Sequence, residues 1–313
     1  MSEEWLSKPE RGSLTLLRLL AWLSLRLGRP IARWFLYPIC FYFVIFSGGT
    51  RRISRVHLER ALKRPVTWRD VFRHYHAFAS TIHDRVYLLS GRHQYFDVET
   101  DGSAAVEPLI HHGNGFILLG SHLGSFEVLR AKGLFERNLP ISVVMHEGAA
   151  SKLNSVLHNL CPGIRGRIIP PGRPDTMLTV KERLDHGEIV GILADRLFSG
   201  EKTVICDFLG VPTPFPEGPF LLAALLQVPV VLFFGLYEGG RRYRIQFEPF
   251  ANPIPMHRGR RPDVHEWVER YAQRLEHYSL LYPYNWFNFY ELSNETSEPV
   301  VPTAAGAWAH RRG

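Results

Sequence analysis

Two side chains in the stretch FILLGSHLGSFE have the types and spacing for acid–base work, His122 and Glu127. A carboxylate beside an imidazole fixes its tautomer and stabilises the charge it gains on taking a proton from a hydroxyl or thiol. A wholly helical segment would hold the two apart, because five residues turn through about 500° and leave the ends about 140° apart. They meet only if His122 precedes the helix. The sequence predicts such a corner: residues 116–119 form a short apolar run of the kind buried on both faces of a parallel sheet, and a helical pattern begins at Glu127. Gly120 and Gly124 supply the backbone freedom for the turn. By itself the spacing also fits a loop histidine and a solvated acid favoured at a helix N-terminus.

The elements that must position this pair follow a regular alternation. Apolar strands are expected at 95–98, 116–119, 141–145, 166–169, 189–193, 203–208, 230–236 and 243–247, with helices between most of them. That is the pattern of an α/β fold with a mainly parallel open sheet flanked by helices. In such sheets ligands bind outside the carboxyl ends of the strands. Three further polar groups fall there. Asp195 and Arg196 follow the apolar run IVGILA and read either as a strand-end ion pair or as part of a site. Glu217 and Gly218 close the FPEG segment just before a helix opened by Pro219. Arg173, in IIPPGRPDTM, is either an ordinary surface residue or a positive charge for a phosphate or a developing oxyanion. Upstream, Thr67 caps a helix that ends near Ser90-Gly91; His74, His76 and His83 on it are read as surface or groove histidines, unsuited to metal ligation.

The chain divides into an N-terminal helical segment (1–55), an α/β domain (56–291) and a flexible tail (292–313). Within the first, residues 13–46 mix a long apolar stretch with Arg18, Arg26, Arg29 and Arg33 and with Trp22, Trp34, Tyr37 and Tyr42. The uninterrupted apolar part, 34–46, is shorter than the roughly 20 residues of a spanning helix and contains Pro38. A segment lying in the membrane surface is expected, with arginines reaching anionic headgroups; a buried helical hairpin is the competing reading. The 37 Lys and Arg against 30 Asp and Glu suit an anionic partner such as a membrane surface, an acidic carrier protein or nucleic acid. Nucleic acid is the least supported of these, for no RNA- or DNA-binding motif is present. Cys40, Cys161 and Cys206 are too few and too scattered for a disulfide framework and read as buried, inert thiols.

With these blocks assembled, the chain resembles the lysophospholipid and glycerol-phosphate acyltransferase superfamily, and within it the lipid A biosynthesis acyltransferases. SHLGSFE matches the His-x4-acid block, GILADRLFSG resembles the second block, and FPEG occurs literally at residues 215–218. VPVVLFFGL resembles the fourth block, and YPYNWFNFYEL the Trp-rich ending of the lipid A branch. Two departures stand out: Asp195-Arg196 where the lipid A enzymes usually carry Asp-x-Asp, and Pro219-Phe220-Leu221 where the phospholipid branch has Thr-Arg-Ser. The resemblance implies one-step transfer of a fatty acyl group from a thioester, on acyl carrier protein or coenzyme A, to a hydroxyl or amine of a lipid or glycolipid. His122 would be the general base and Glu127 its orienting acid, with Arg173 or backbone N–H groups stabilising the oxyanion. Asp195, Arg196, Glu217 and Gly218 fall in blocks expected to bind substrate. The reaction would need no metal or other cofactor, and would take place at the cytoplasmic face of a bacterial inner membrane. A lipid esterase lacks support, since no G-x-S-x-G elbow is present; a membrane-bound scaffold would not require the polar strand ends.

Overall fold

The computed structural model describes residues 14–139, 141–145, 167–197, 200–256 and 262–289. Five helices come first: α1 (Leu14–Leu27), α2 (Arg29–Trp34), α3 (Leu36–Phe46), α4 (Gly48–Leu62) and α5 (Trp68–Leu89). Helix α4 runs through the expected boundary at residue 55, so the N-terminal helices continue into the body of the protein. The remainder alternates: β1 (Asp97–Asp101), α6 (Glu107–His111), β2 (Phe116–Gly120), α7 (Phe126–Arg137), β3 (Ile141–Val144), β4 (Ile168–Ile169), α8 (Thr176–Asp185) and β5 (Ile189–Leu193). It ends with β6 (Thr203–Phe208), β7 (Val211–Pro216), α9 (Gly218–Leu226), β8 (Val230–Gly239), β9 (Arg242–Ala251) and α10 (His265–Leu281).

Seven strands form one sheet in the order β1-β9-β8-β2-β5-β3-β4. The run β8, β2, β5, β3, β4 is parallel throughout, while β9 pairs antiparallel with β8 and carries β1 beside it. The adjacent central strands β2 and β5 carry no polar side chain because both faces are covered. Ile117, Leu119, Val190, Ile192, Leu232 and Phe234 face a core under α8, α9 and α10. Phe116, Leu118, Ile189, Val231 and Phe233 face a second core under α5 and α7.

Two strand expectations are corrected. The first strand begins at Asp97 rather than 95, because residues 93–95 form a short 3-10 turn. Residues 203–208 leave the main sheet and pair antiparallel with β7 in a separate hairpin. Its turn residues, Leu209 and Gly210, both have positive φ, the geometry of a tight two-residue hairpin, but Leu at the first of these positions gives no sequence warning. Pro212, Pro214 and Pro216 are tolerated in β7 because only one of its edges is paired.

The N-terminal helices are joined to this body by a buried ion pair. The Asp84 carboxylate, fully buried on α5, accepts two hydrogen bonds of 2.8 Å from the Arg29 guanidinium and one of 2.8 Å from the Tyr243 hydroxyl. Arg29 also donates to the Gly240 carbonyl and Arg33 to the Tyr237 hydroxyl, so α2 is pinned to the β8–β9 turn. Burial alone would raise the Asp84 pKa; the neighbouring His83 ring, 3.6 Å away, and the hydrogen bonds from Arg29 and Tyr243 outweigh that and hold it below the ordinary carboxylate value. Asp84→Asn would leave the Arg29 charge buried without its partner, and is expected to cost about 3–5 kcal/mol. Because the folded-state pKa is depressed, the contribution of Asp84 is complete above the unfolded value of about 3.9 and is lost as pH falls below it. Urea unfolding should therefore show a large gap between parent and variant near neutrality that narrows in acid.

Candidate active site

The register of two adjacent strands builds the site. Gly120 on β2 pairs with Leu193 on β5, and the Ala194 N–H donates to the Gly120 carbonyl at 3.0 Å. Parallel neighbours lie about 4.8 Å apart, so the residues two steps beyond that rung, His122 and Asp195, leave the carboxyl edge of the sheet side by side. Asp195 Oδ1 lies 2.8 Å from His122 Nδ1, and Oδ2 accepts the His122 backbone N–H at 2.9 Å. The Trp286 indole N–H adds a third bond, to Oδ2 at 3.1 Å. This corrects two sequence expectations. The acid that orients His122 is Asp195, not Glu127, and Asp195, only 1% exposed, is occupied in holding the imidazole rather than open to a substrate headgroup.

The carboxylate accepts, so Nδ1 carries the proton and Nε2 presents its lone pair. The His122 side chain keeps 27% of its surface open while that of Asp195 has none. Burial first, and then the Arg196 charge, lower the His122 pKa against the opposing pull of Asp195. Asp195, whose pKa burial would raise, is kept below the ordinary value by His122 and Arg196. The resting pair is thus a neutral imidazole and an ionised carboxylate, a base ready to accept a proton at Nε2.

Glu127 opens the first turn of α7, where its carboxylate lies 3.3 Å from Arg85 of α5. It reaches the site indirectly, since the Arg85 charge is also felt at His122 and lowers its pKa. Of the two glycines expected to shape the corner, Gly124 makes the turn, with φ of +81°. A Cβ there would strike the Gly235 carbonyl, and the Ser125 N–H donates to that same carbonyl at 2.7 Å. Gly120 lies inside β2, and its carbonyl also accepts the buried Tyr271 hydroxyl at 2.7 Å.

A strap formed by residues 282–289 closes over this corner. Its backbone runs antiparallel to the turn: the Phe287 N–H donates to the His122 carbonyl at 2.9 Å and the Gly124 N–H to the Asn285 carbonyl at 2.8 Å. Asn285 is itself locked to both backbone groups of Tyr237. Behind the strap stand two buried histidines. His57 Nε2 lies 3.0 Å from the Pro283 carbonyl and His74 Nε2 3.0 Å from the Trp286 carbonyl; each nitrogen faces a carbonyl and is therefore the donor. His74 Nδ1 then accepts from Ser54 Oγ at 2.8 Å. His74 is consequently a buried structural residue and not the surface or groove histidine expected of it. Burial lowers the pKa of His57 to about 4 and of His74 to about 3, so both are neutral near pH 7. His76 and His83 are half-buried on the same helix.

The other predicted residues divide. Arg196 belongs to the corner, its guanidinium donating to the Phe287 carbonyl at 3.2 Å. Glu217 is half-buried at the N-cap position of α9, where its side chain makes no capping bond and its backbone N–H donates to the Lys202 carbonyl. A Cβ at Gly218 would meet only the end of the Glu201 side chain, which would have to shift. Arg173 is exposed, and its described bonds are local, made by its backbone to Thr176. Among the described residues no three His, Cys, Asp or Glu side chains converge as a metal site requires. Cys40 and Cys206 are buried thiols with pKa values pushed up by burial, to about 12 and about 11. Cys161 and the expected tail at 292–313 lie outside the described residues. Trp286 is the site residue that the residue-by-residue reading missed; the only signal was the aromatic density of YPYNWFNFYEL.

Comparison with protein families matches residues 70–292 to the bacterial lipid A biosynthesis acyltransferases. The match covers every element that builds the corner, from α5 through the strap. Among curated proteins, none matches the chain.

Proposed function

Because this chain belongs to the bacterial lipid A biosynthesis acyltransferase family, which makes it an acyltransferase acting on lipid, we propose that His122 is the general base of the transfer and Asp195 the acid that orients it. The observation that carries this reading is the 2.8 Å contact from Nδ1 to a carboxylate with no open surface. Nε2 takes the proton from an acceptor hydroxyl or amine as its oxygen or nitrogen attacks the carbonyl carbon of an acyl thioester. The C–S bond then breaks, and the departing sulfur leaves as the thiol with the proton that the imidazolium returns. Asp195 stabilises that imidazolium while it lasts. The donor is an acyl thioester of acyl carrier protein or coenzyme A, and the acceptor a lipid or glycolipid. Arg196 stands beside the base, where it suits an anionic headgroup or the donor's phosphate. Glu217 and Gly218, at the start of α9, are the proposed headgroup contacts farther out, and Arg173 a further cationic contact.

The same reading places the reaction at a membrane surface on the cytoplasmic face of a bacterial inner membrane. Helix α3 is apolar on every side, yet it buries only Leu36, Cys40 and Val44, the i, i+4, i+8 stripe that faces the protein. Tyr37, Phe41, Tyr42 and Phe46 point outward, each about half exposed or more, with Trp34 at 74% and Trp68 at 63% beside them. Tyr37, Phe41 and Phe72 line a shallow groove with Trp68 and Arg69 at its side. A contiguous apolar face of this kind marks a surface that something other than water covers. The exposed Arg18, Arg26, Arg51 and Arg52 lie on the neighbouring helices. Among the described residues no single helix is long and apolar enough to cross a membrane; the segments 29–46 and 48–62, bent by 97°, reach that length only as a pair. Since α4 buries Ser54, His57, Leu58 and Ala61 against the protein, docking by one face fits these helices better than insertion of the pair.

His122→Ala should lower kcat/KM by about 10²–10⁴-fold without loss of folding. The depressed His122 pKa sets the direction of the pH dependence. The base is active above its pKa and is lost as pH falls through it, so the acid limb of the kcat/KM profile should lie below the ordinary histidine value of about 6.5. A limb above that value would contradict the assignment. Sedimentation with anionic vesicles should weaken when Trp34, Phe41 and Phe46 are replaced by serine; undiminished binding would remove α2 and α3 from the docking surface.

A further inference from the structure

Asn288 is a buried amide, 3% exposed, whose Oδ1 and Nδ2 are both shut off from solvent and have no hydrogen-bond partner among the described residues. Such a group costs the fold the full desolvation of a donor and an acceptor, and a partner that arrives with the substrates is one way that cost is recovered. Its place in the strap says where that something sits. Phe287 and Phe289 share one face of the strap: their rings pack on Phe78 of α5 at centroid distances of 5.3 and 5.2 Å and on His74 at 6.1 and 4.8 Å. In extended chain, alternate side chains leave on opposite faces. Asn288 therefore projects away from α5, on the face from which Trp286 reaches Asp195. The residue before it donates its N–H to the His122 carbonyl and accepts Arg196. Asn288 is thus one peptide beyond the contacts that hold the base.

We propose that Asn288 is a further catalytic residue, whose Nδ2–H donates to the carbonyl oxygen of the acyl thioester and strengthens that bond as the oxygen becomes an oxyanion. The inference rests on the acyl-transfer reading above. The reaction develops negative charge on that oxygen when the acceptor attacks, and a preorganised neutral donor in a dry site is the device that stabilises it. Arg196, bonded to the Phe287 carbonyl, brings positive charge to the adjacent peptide. Oδ1 remains to accept an N–H or O–H from the substrates. The unpartnered amide of the free protein is then a cost in stability that the transition state recovers, as is common at functional sites.

The test uses the full chain in detergent micelles containing total bacterial lipid extract, with myristoyl groups presented on both coenzyme A and acyl carrier protein. Thiol release and lipid acylation are followed for the parent, Asn288→Leu, Asn288→Ala and His122→Ala. Loss of one oxyanion donor should lower kcat by about 10²–10³-fold while the thioester KM stays nearly constant. The melting temperature of Asn288→Leu should equal or exceed that of the parent, because an apolar side chain of similar size replaces an unsatisfied amide. A kcat within about threefold of the parent in either variant, or a rate loss that tracks a lowered melting temperature in both, overturns the proposal. If His122→Ala keeps the parent rate, the reading of the base fails instead, and the two failures are told apart by which variant stays active.

Discussion

The Asp195 carboxylate is the constraint around which this structure is organised. A carboxylate removed from water must find donors for its oxygens, and Asp195 finds them on two separate parts of the chain: the backbone and ring of His122, and the indole of Trp286. Satisfying it requires β2 beside β5 in a register that ends both strands together, and it requires the residues after α10 to return across the sheet edge. All three of these bonds serve to fix one imidazole at the sheet edge. The result is an imidazole with a defined tautomer, about a quarter of whose side-chain surface is open.

The strap ties the His122 corner to the N-terminal helices. His57 of α4 and His74 of α5 hold the Pro283 and Trp286 carbonyls, and Ser54 of α4 fixes the tautomer of His74. Tyr284 donates to Asp70 at the start of α5, the acid that also closes the helix cap with Thr67. The ion pair at Asp84 binds α2 to the same helix from the other end. The layer that carries the exposed aromatic face is therefore tied by buried hydrogen bonds and an ion pair to the carboxyl edge of the sheet. In the proposed membrane-docked state this brings the acceptor to the base without a hinge.

Much of this was legible in the chain. Unbroken apolar runs announced strands covered on both faces, and the polar residues directly after 116–120 and 189–193 marked the edge where chemistry is found. The strand order was not legible. Nothing in the run IVGILADR says that it lies next to FILLGSH, so the nearest acid in sequence, Glu127, took the role that the nearest acid in space, Asp195, occupies. The short interval from His122 to Glu127 was misleading for a physical reason: the corner turns at Gly124 and begins α7 at Phe126, which aims Glu127 at Arg85 of the neighbouring helix. His74 was misjudged because helical periodicity assigns a face without saying what covers it, and here the strap does, with Trp286 and Phe289. Trp286 carried no motif of its own, since the donation of an indole to a carboxylate 91 residues away leaves no local trace.

Whether His122 works through Asp195 or through Glu127 is decided by steady-state kinetics of two near-isosteric variants. Asp195→Asn keeps the size of the side chain but removes the charge that stabilises the imidazolium, and its kcat/KM should fall by about 10²–10⁴-fold. Glu127→Gln, which alters only the partner of Arg85, should fall far less. A Glu127→Gln variant that loses as much activity as Asp195→Asn, or an Asp195→Asn variant that keeps the parent rate, would contradict the account.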